Sequence, residues 1–478
     1  MKKWVTLLFA SLSISAFAQT VYKPFEVDTE AQPTGGRPML EKFIEANRRI
    51  PYSAEVNKIK GTVFISGVVE PDGKLSDVQV TRSLRPDCDR EAVRVMRLFN
   101  AWQPALKGGQ RVRQQMVYMV KFAPVCDHCE TGQNSVYYTK TGLYTPDETA
   151  AEYRLVTPVD TLGYPTGNAS AYKRQRKGWA STRQYSFAKQ NFTYHNEDDP
   201  TAPELAMAYR LTVSGSLWQY EGSVYSFYDN HSPLSKEQYV DGKRVGEALF
   251  YYPTGLVKRL EESLEGGDVR EWFWYPNGQL SHVLIRNPMT PFVVRILGQW
   301  NSAGEQFVKD GKGHAHFASR QEKEWLYERG GVENGQKNGQ WQGRYSDSTV
   351  FYREIYDKGQ FVSGVTYDQK GDSLIYKEVS SQPEFKGGMN ALGQFLGNNI
   401  RYPVEASRVG AHGKVFVSFV VTDDGTLDEY KVLQGVGWGL DEEALRVVKM
   451  TSGRWTPGVR RGRKVRVKYN MPINFAIQ

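Results

Sequence analysis

A chain of 478 residues is longer than one hydrophobic core ordinarily serves, so about three domains are expected. Hydrophobic residues at 40% and aromatics at 13% supply surface for packed cores, while a mean hydropathy of -0.55 argues against a polytopic membrane protein. The net charge of +8 would suit a polyanion, but an export address argues against nucleic acid and leaves a solvated basic surface.

That address is residues 1–18: Lys2 and Lys3, an apolar run from Val5 to Phe17, then the small-residue pattern Ala16-Phe17-Ala18 before Gln19. It reads as a cleavable signal, and the run is shorter than the ~20 residues that span a bilayer. The expected location is periplasmic. An uncleaved helix, anchoring the protein in the inner membrane and facing the periplasm, is the alternative.

A module is expected over 36–124, and its pattern returns over 383–478. Lys60-Gly61-Thr62-Val63-Phe64-Ile65-Ser66-Gly67-Val68-Val69 aligns without a gap on His412-Gly413-Lys414-Val415-Phe416-Val417-Ser418-Phe419-Val420-Val421. The register continues through Asp72-Gly73 with Asp424-Gly425, and through Asp89 and Glu91-Ala92 with Asp441 and Glu443-Ala444. After one inserted residue, Trp102 and Pro104 match Trp455 and Pro457.

Cys126-Asp127-His128-Cys129 follows the first copy. The pair suits a local disulfide in an oxidising compartment or half of a zinc site, and Cys88 alone does not complete the latter. Cys88 is expected as a buried thiol. Linkers are expected near 124–135 and 371–383.

Residues 136–375 carry another period, with 136–220 fitting it more loosely. Tyr251-Tyr252-Pro253-Thr254-Gly255 is echoed by Trp274-Tyr275-Pro276-Asn277-Gly278, and Asp241-Gly242-Lys243 by Asp310-Gly311-Lys312. Units of about 23 residues with turn glycines and alternating polarity predict stacked β-hairpins.

In the second copy the alternation from Gly413 to Thr422 predicts a strand with one buried face. Asp423-Asp424-Gly425 predicts a tight turn, and Leu427 to Gln434 the return strand. Asp441 is expected to cap a helix running to about Met450, and Lys464 to Ala476 to form a long edge strand. Trp102 and Trp455 are expected as core anchors rather than ligand platforms. The fold class is α+β: two small two-layer domains, each a three-stranded antiparallel sheet with helices, flanking an all-β hairpin region.

Arg401-Tyr402-Pro403, Gly413 to Val417, Asp424-Gly425, the helix from Asp441 and Arg454-Trp455-Thr456-Pro457-Gly458 together resemble the C-terminal domain of TonB, the periplasmic end of a bacterial energy transducer. The first copy departs from that pattern, with Ile50-Pro51-Tyr52 in place of the Tyr-Pro order. The central units resemble MORN-type repeats. The resemblance implies that an outer-membrane TonB-dependent receptor or another envelope protein is bound by β-strand addition, with no cofactor. The residues carried over are Val465, Val467, Tyr469, Met471 and Ile473 on the edge strand, with Asn398, Asn399, Arg401, Tyr402 and Pro403 beside them. Val467 is expected to offer an edge N–H. The matching edge of the first copy is Val112 to Val120.

Arg460, Arg461, Arg463, Lys464, Arg466 and Lys468 crowd the same strand, and a charged edge also guards against unwanted pairing. No metal-protease motif, phosphate loop or nucleophile elbow is present, so an enzyme is not expected. His314 and His316 share one strand face and are expected as a surface pair. Two functions stay open: a TonB-like transport component, or a non-catalytic envelope scaffold with no role in import. Lack of a Pro-rich arm and a cleavable front end count against a complete transducer.

Overall fold

The computed structural model describes residues 20–124, 128–140, 145, 147–195, 205–214, 220–240, 242–321, 324–368 and 370–476. The expected export signal, Cys126, Asp127 and Asp241 lie outside the described residues. Cys129 is disulfide-bonded, and Cys88 is a buried free thiol whose pKa is pushed up to about 11 by burial and the adjacent Asp87. No helix among the described residues is long and apolar enough to cross a membrane. The chain divides into two compact units between Gly311 and Lys312.

The first unit begins with a helix over Arg37–Asn47, strands Gly61–Val69 and Leu75–Arg82, a helix over Pro86–Leu98 and the strand Gln110–Phe122. Strand Gly61–Val69 lies between the other two, antiparallel to both. Val63, Ile65, Val69, Met116, Val120 and Phe122 turn one face of this sheet to Leu40, Phe43, Ala92, Val95 and Met96 of the helices. The period of two in the strands and of 3.6 in the helices puts these side chains on facing surfaces.

Hairpin strands then follow from Cys129–Glu130 to Gln306–Lys309, consecutive strands pairing antiparallel. The aromatic repeat has a physical basis in its turns. Tyr252 N–H donates to Leu256 O at 2.8 Å and Tyr275 N–H to Gln279 O at 2.8 Å. The same tyrosines tie each unit to the next, Tyr252 Oη donating to Trp274 O at 2.9 Å and Tyr275 Oη to Trp300 O at 3.1 Å.

The first module is fused to these hairpins. Leu256, Val257, Trp274, Leu280 and Trp300 belong to the same buried cluster as Leu40, Phe43 and Phe99. The module also reaches further back than residue 36, and the stretch expected as a linker after 124 is partly structured. Tyr52 Oη lies 2.9 Å from Glu130 O and 2.8 Å from Gln133 O, its one proton shared between the two carbonyls. Burying these apolar faces jointly removes more surface from water than either part could alone.

The second unit carries strands Lys312–Gln321, Glu324–Glu333, Gln336–Tyr345, Val350–Asp357, Gln360–Tyr367 and Ser373–Tyr376 as an antiparallel meander. Its module has helices Gly388–Asn399 and Leu440–Lys449, with strands Leu427–Gln434, Gly413–Val421 and Val467–Phe475 side by side in that order. The expected linker over 371–383 is instead occupied by Ser373–Tyr376 and by Ser380–Ser381, which pairs with Arg460 and Val459. His314 and His316 are exposed on their strand.

Trp455 is 1% exposed and Trp102 7%, so both are core anchors. Trp455 stacks edge-on against Phe385 and Phe419 with ring centroids 5.7 and 5.5 Å away. Gly425 shows why the Asp-Gly turn recurs: its φ is +86°, and a Cβ there would lie 2.2 Å from the Trp455 carbonyl oxygen. Gly73 meets the Trp102 carbonyl in the same way, at 2.4 Å. Asp441 differs from its expected role. Gly439 is the helix N-cap, and the Asp441 carboxylate accepts instead from the backbone of Val436 at 2.8 Å and Gly437 at 3.2 Å.

Candidate functional site

The candidate site is the outer edge of Val467–Phe475. Its inner side pairs with Gly413–Val421 over nine positions, from Gly413 with Phe475 to Val421 with Val467. No strand among the described residues pairs with its outer side.

Pro472 fixes which backbone groups face outward. It sits opposite Phe416 and has no N–H, so this pair cannot exchange both ladder bonds. Alternation in an antiparallel ladder then turns the amides of Val467, Tyr469, Met471 and Ile473 inward, and those of Lys468, Asn470 and Asn474 outward. The expectation of an edge donor at Val467 is thereby corrected.

Side chains correct it as well. Met471 is 4% exposed and Ile473 1%, and Tyr469 packs on Phe419 and Trp455 at 5.6 and 5.2 Å. Val465 and Val467 are half-buried. Tyr469, Met471 and Ile473 line the inner face because strand alternation selects one parity for the core, while Val465 lies outside the edge strand Val467–Phe475, on the short hairpin strand Arg463–Val465 that pairs with Gly458–Arg460. Lys468, Asn470, Pro472 and Asn474 are the exposed parity; the alternation of apolar residues was the signal for burial, and its complement faces solvent.

The segment before the second copy's first strand lies at the end of this edge, where the Tyr402 and Phe475 rings are 6.0 Å apart. Tyr402 Oη donates to Ala411 O. Asn398 and Arg401 are exposed, and Pro403 is half-buried as the N-cap of a short helix, Val404–Val409. Glu443 and Arg446 hold this segment. Arg401 N–H donates to Glu443 Oε1 at 2.6 Å, and Arg446 Nη2 donates to Asn399 O at 2.6 Å. Burial raises the Glu443 pKa, but its bonds to Arg446 and the Arg401 backbone outweigh that and hold it below the ordinary carboxylate value.

The basic cluster is not a uniform guard. Arg466 pairs with Asp428 at 3.1 Å and Glu429 at 2.9 Å across the open face of the sheet. Arg461 is 5% exposed and leaves the edge altogether. From the tip of the hairpin Gly458–Arg460 and Arg463–Val465 it donates Nε to Glu354 Oε1 at 2.8 Å and Nη2 to Glu328 Oε1 at 3.0 Å, with its guanidinium 3.5 Å from the Tyr352 ring centroid. Burial opposes this charge, yet Tyr352, Glu354 and Glu328 raise its pKa above the ordinary arginine value. Nothing in the local sequence distinguishes Arg461 from its neighbours, because its partners lie more than a hundred residues away.

The equivalent edge of the first copy is engaged at its start. Val21–Tyr22 pairs parallel with Gln110–Phe122, Val21 opposite Arg113 and Tyr22 opposite Gln114. Ala105–Lys107 covers Gln110 to Val112. Lys107 lies over the Tyr22 ring at 4.1 Å, and Ala31 N–H donates to Gln114 Oε1 at 2.7 Å. The remaining part of the strand exposes Val117 and Met119.

No group of three or more metal-ligating side chains occurs among the described residues.

Residues 46–124 and 398–477 match the family of the Gram-negative bacterial TonB protein C-terminal domain. These two segments of the chain are thus two copies matching the TonB C-terminal family, a family that faces the periplasm and engages outer-membrane receptors or other envelope proteins. No curated protein matches the chain. Among solved structures, a chain of the crystal structure of TcdB2-TccC3-TEV overlaps 69% of this chain and 19% of its own length, at 10% identity and a TM-score of 0.13. That likeness carries no argument about fold or function.

Proposed function

We propose that this is a periplasmic TonB-like protein that docks on outer-membrane transporters, or on their partners, by accepting an extended segment onto the edge Val467–Phe475 of its second TonB domain. In this reading it serves energy-coupled transmembrane transport without catalysis of its own. The observation that carries the proposal is the contrast between the copies. In the first copy the edge takes up a parallel strand from the chain itself at Arg113 and Gln114, the start of the matching strand, and in the second no strand among the described residues pairs with the outer side of Val467–Phe475.

An incoming strand would bond to the outward N–H groups of Lys468, Asn470 and Asn474 and to the outward carbonyls, with main-chain bonding giving affinity and the exposed side chains giving selection. Pro472 withholds one donor and so marks a register. Arg401 and Lys468 favour an acidic ligand. The hairpins of 136–375 are read as a MORN-like scaffold, and residues 1–18 as the export signal.

The test is capture of TonB-dependent receptors from solubilised outer membrane by the immobilised full chain and by its Asn470→Pro variant. Proline there deletes an outward donor while sparing the inner ladder. Capture by the parent and loss in the variant are expected; equal capture by a folded variant would refute strand addition. The envelope scaffold is the second reading, favoured by the fusion of the first copy to its hairpins. It predicts capture of envelope proteins other than transporters.

A further inference from the structure

The duplication supplies an occupied and an open version of a second surface, formed by the first helix of each copy and the residues after it. In the first copy this surface grips a hairpin turn. Asn47 Oδ1 accepts the Val257 N–H at 2.7 Å, and Arg49 Nη2 donates to Gly255 O at 3.1 Å. The Arg49 guanidinium lies 5.5 Å from the Tyr251 ring centroid. The grip reads the main chain of Tyr252-Pro253-Thr254-Gly255-Leu256-Val257, so it recognises a turn shape more than a sequence.

The supports of that grip recur 352 positions later. Arg49 N–H donates to Glu91 Oε1 at 2.6 Å and Arg94 Nη2 to Asn47 O at 2.6 Å; Arg401, Glu443, Arg446 and Asn399 repeat both bonds at the same distances. Asn47 Nδ2 donates to Phe43 O at 3.0 Å, and Asn399 Nδ2 to Phe395 O at 2.7 Å. With its nitrogen committed in the same way, Asn399 has its Oδ1 available where Asn47 receives an N–H. No described residue donates to Asn399 Oδ1, and Arg401 is exposed. Met450, which replaces Leu98 beside this face, is 41% exposed.

We infer that the Phe395, Asn399 and Arg401 face of the second copy binds a β-hairpin turn of a partner protein, of the aromatic-Pro-x-Gly kind that the first copy already holds. Asn399 Oδ1 accepts an N–H two residues after the turn glycine, and the Arg401 guanidinium donates to that glycine's carbonyl. The surface is separate from the outward groups of Val467–Phe475, so it would dock a folded hairpin while the edge takes an extended segment.

The test uses the full chain and a disulfide-cyclised peptide reproducing Phe250–Lys258, followed by calorimetry and by hydrogen exchange over 395–403. One peptide per chain is expected, with slowed exchange over that segment and about tenfold weaker binding in each of Asn399→Ala and Arg401→Ala, the loss of one hydrogen bond. No saturable binding would overturn the inference. So would undiminished binding to both variants, which would place the peptide elsewhere. Thermal unfolding of each variant verifies its fold. Binding retained in Asn470→Pro is expected too, so a failure of strand addition leaves this result readable.

Discussion

Arg461 is the residue on which the second copy is anchored to its hairpins. Its removal would leave the buried Glu354 and the half-buried Glu328 without their paired guanidinium, the kind of loss that costs most when a buried pair is broken. Arg461→Met is expected to destabilise the second unit by about 3–5 kcal/mol, measured by denaturant unfolding, and Glu354→Gln in the same chain should recover part of the loss. Burial raises the Glu328 pKa, but Arg461 and Lys337 more than offset it, so the folded value lies below the ordinary 4.5. A depressed carboxylate contributes stability that is present above 4.5 and lost as pH falls through the folded value. The unfolding midpoint of this unit should therefore drop on acidification below 4.5, and Glu328→Gln should flatten that dependence. Gly425→Ala belongs to the same scale. A Cβ 2.2 Å from a carbonyl oxygen, at φ of +86°, has no neighbour able to give way, and a loss of roughly 1–3 kcal/mol or more is expected by the same assay.

Two edge strands of equal ancestry have different fates at the level of the element. Val21→Pro with Tyr22→Pro should release the parallel strand from the first copy, seen as faster amide exchange at Arg113 to Gln115 with receptor capture unchanged. Val467→Pro should instead break an inward bond and unfold the second module, which thermal melting would show. Much of this level was legible in the sequence. Alternation from Gly413 to Thr422 and the Asp424-Gly425 turn placed the strands within a residue or so, because local periodicity and turn chemistry decide them. The solvent-facing parity of the edge was inverted, since the apolar parity that announces a strand is the parity the core consumes. Parallel pairing of Val21–Tyr22 was illegible: two residues carry no period, and their partner is ninety positions on. The cap role of Asp441 failed for a local reason, as Gly439 starts the helix early and frees the carboxylate for the preceding loop.

On the scale of the whole molecule, duplication followed by unequal use explains why one chain carries the same domain twice. The first copy spends its helical face on the hairpin turns and part of its edge on its own leading strand. The second keeps both surfaces exposed. Long-range ties such as Asn47 to Val257 and Arg461 to Glu354 could not be read from sequence, because neither end is locally unusual. The proposed function requires that the outer edge of Val467–Phe475 accept a partner's strand. Amide hydrogen exchange on the full chain, alone and bound to a captured outer-membrane receptor, measures it most directly. Slowed exchange at Lys468, Asn470 and Asn474 on binding is the predicted result; a complex in which these three amides exchange as fast as in the free chain would contradict it.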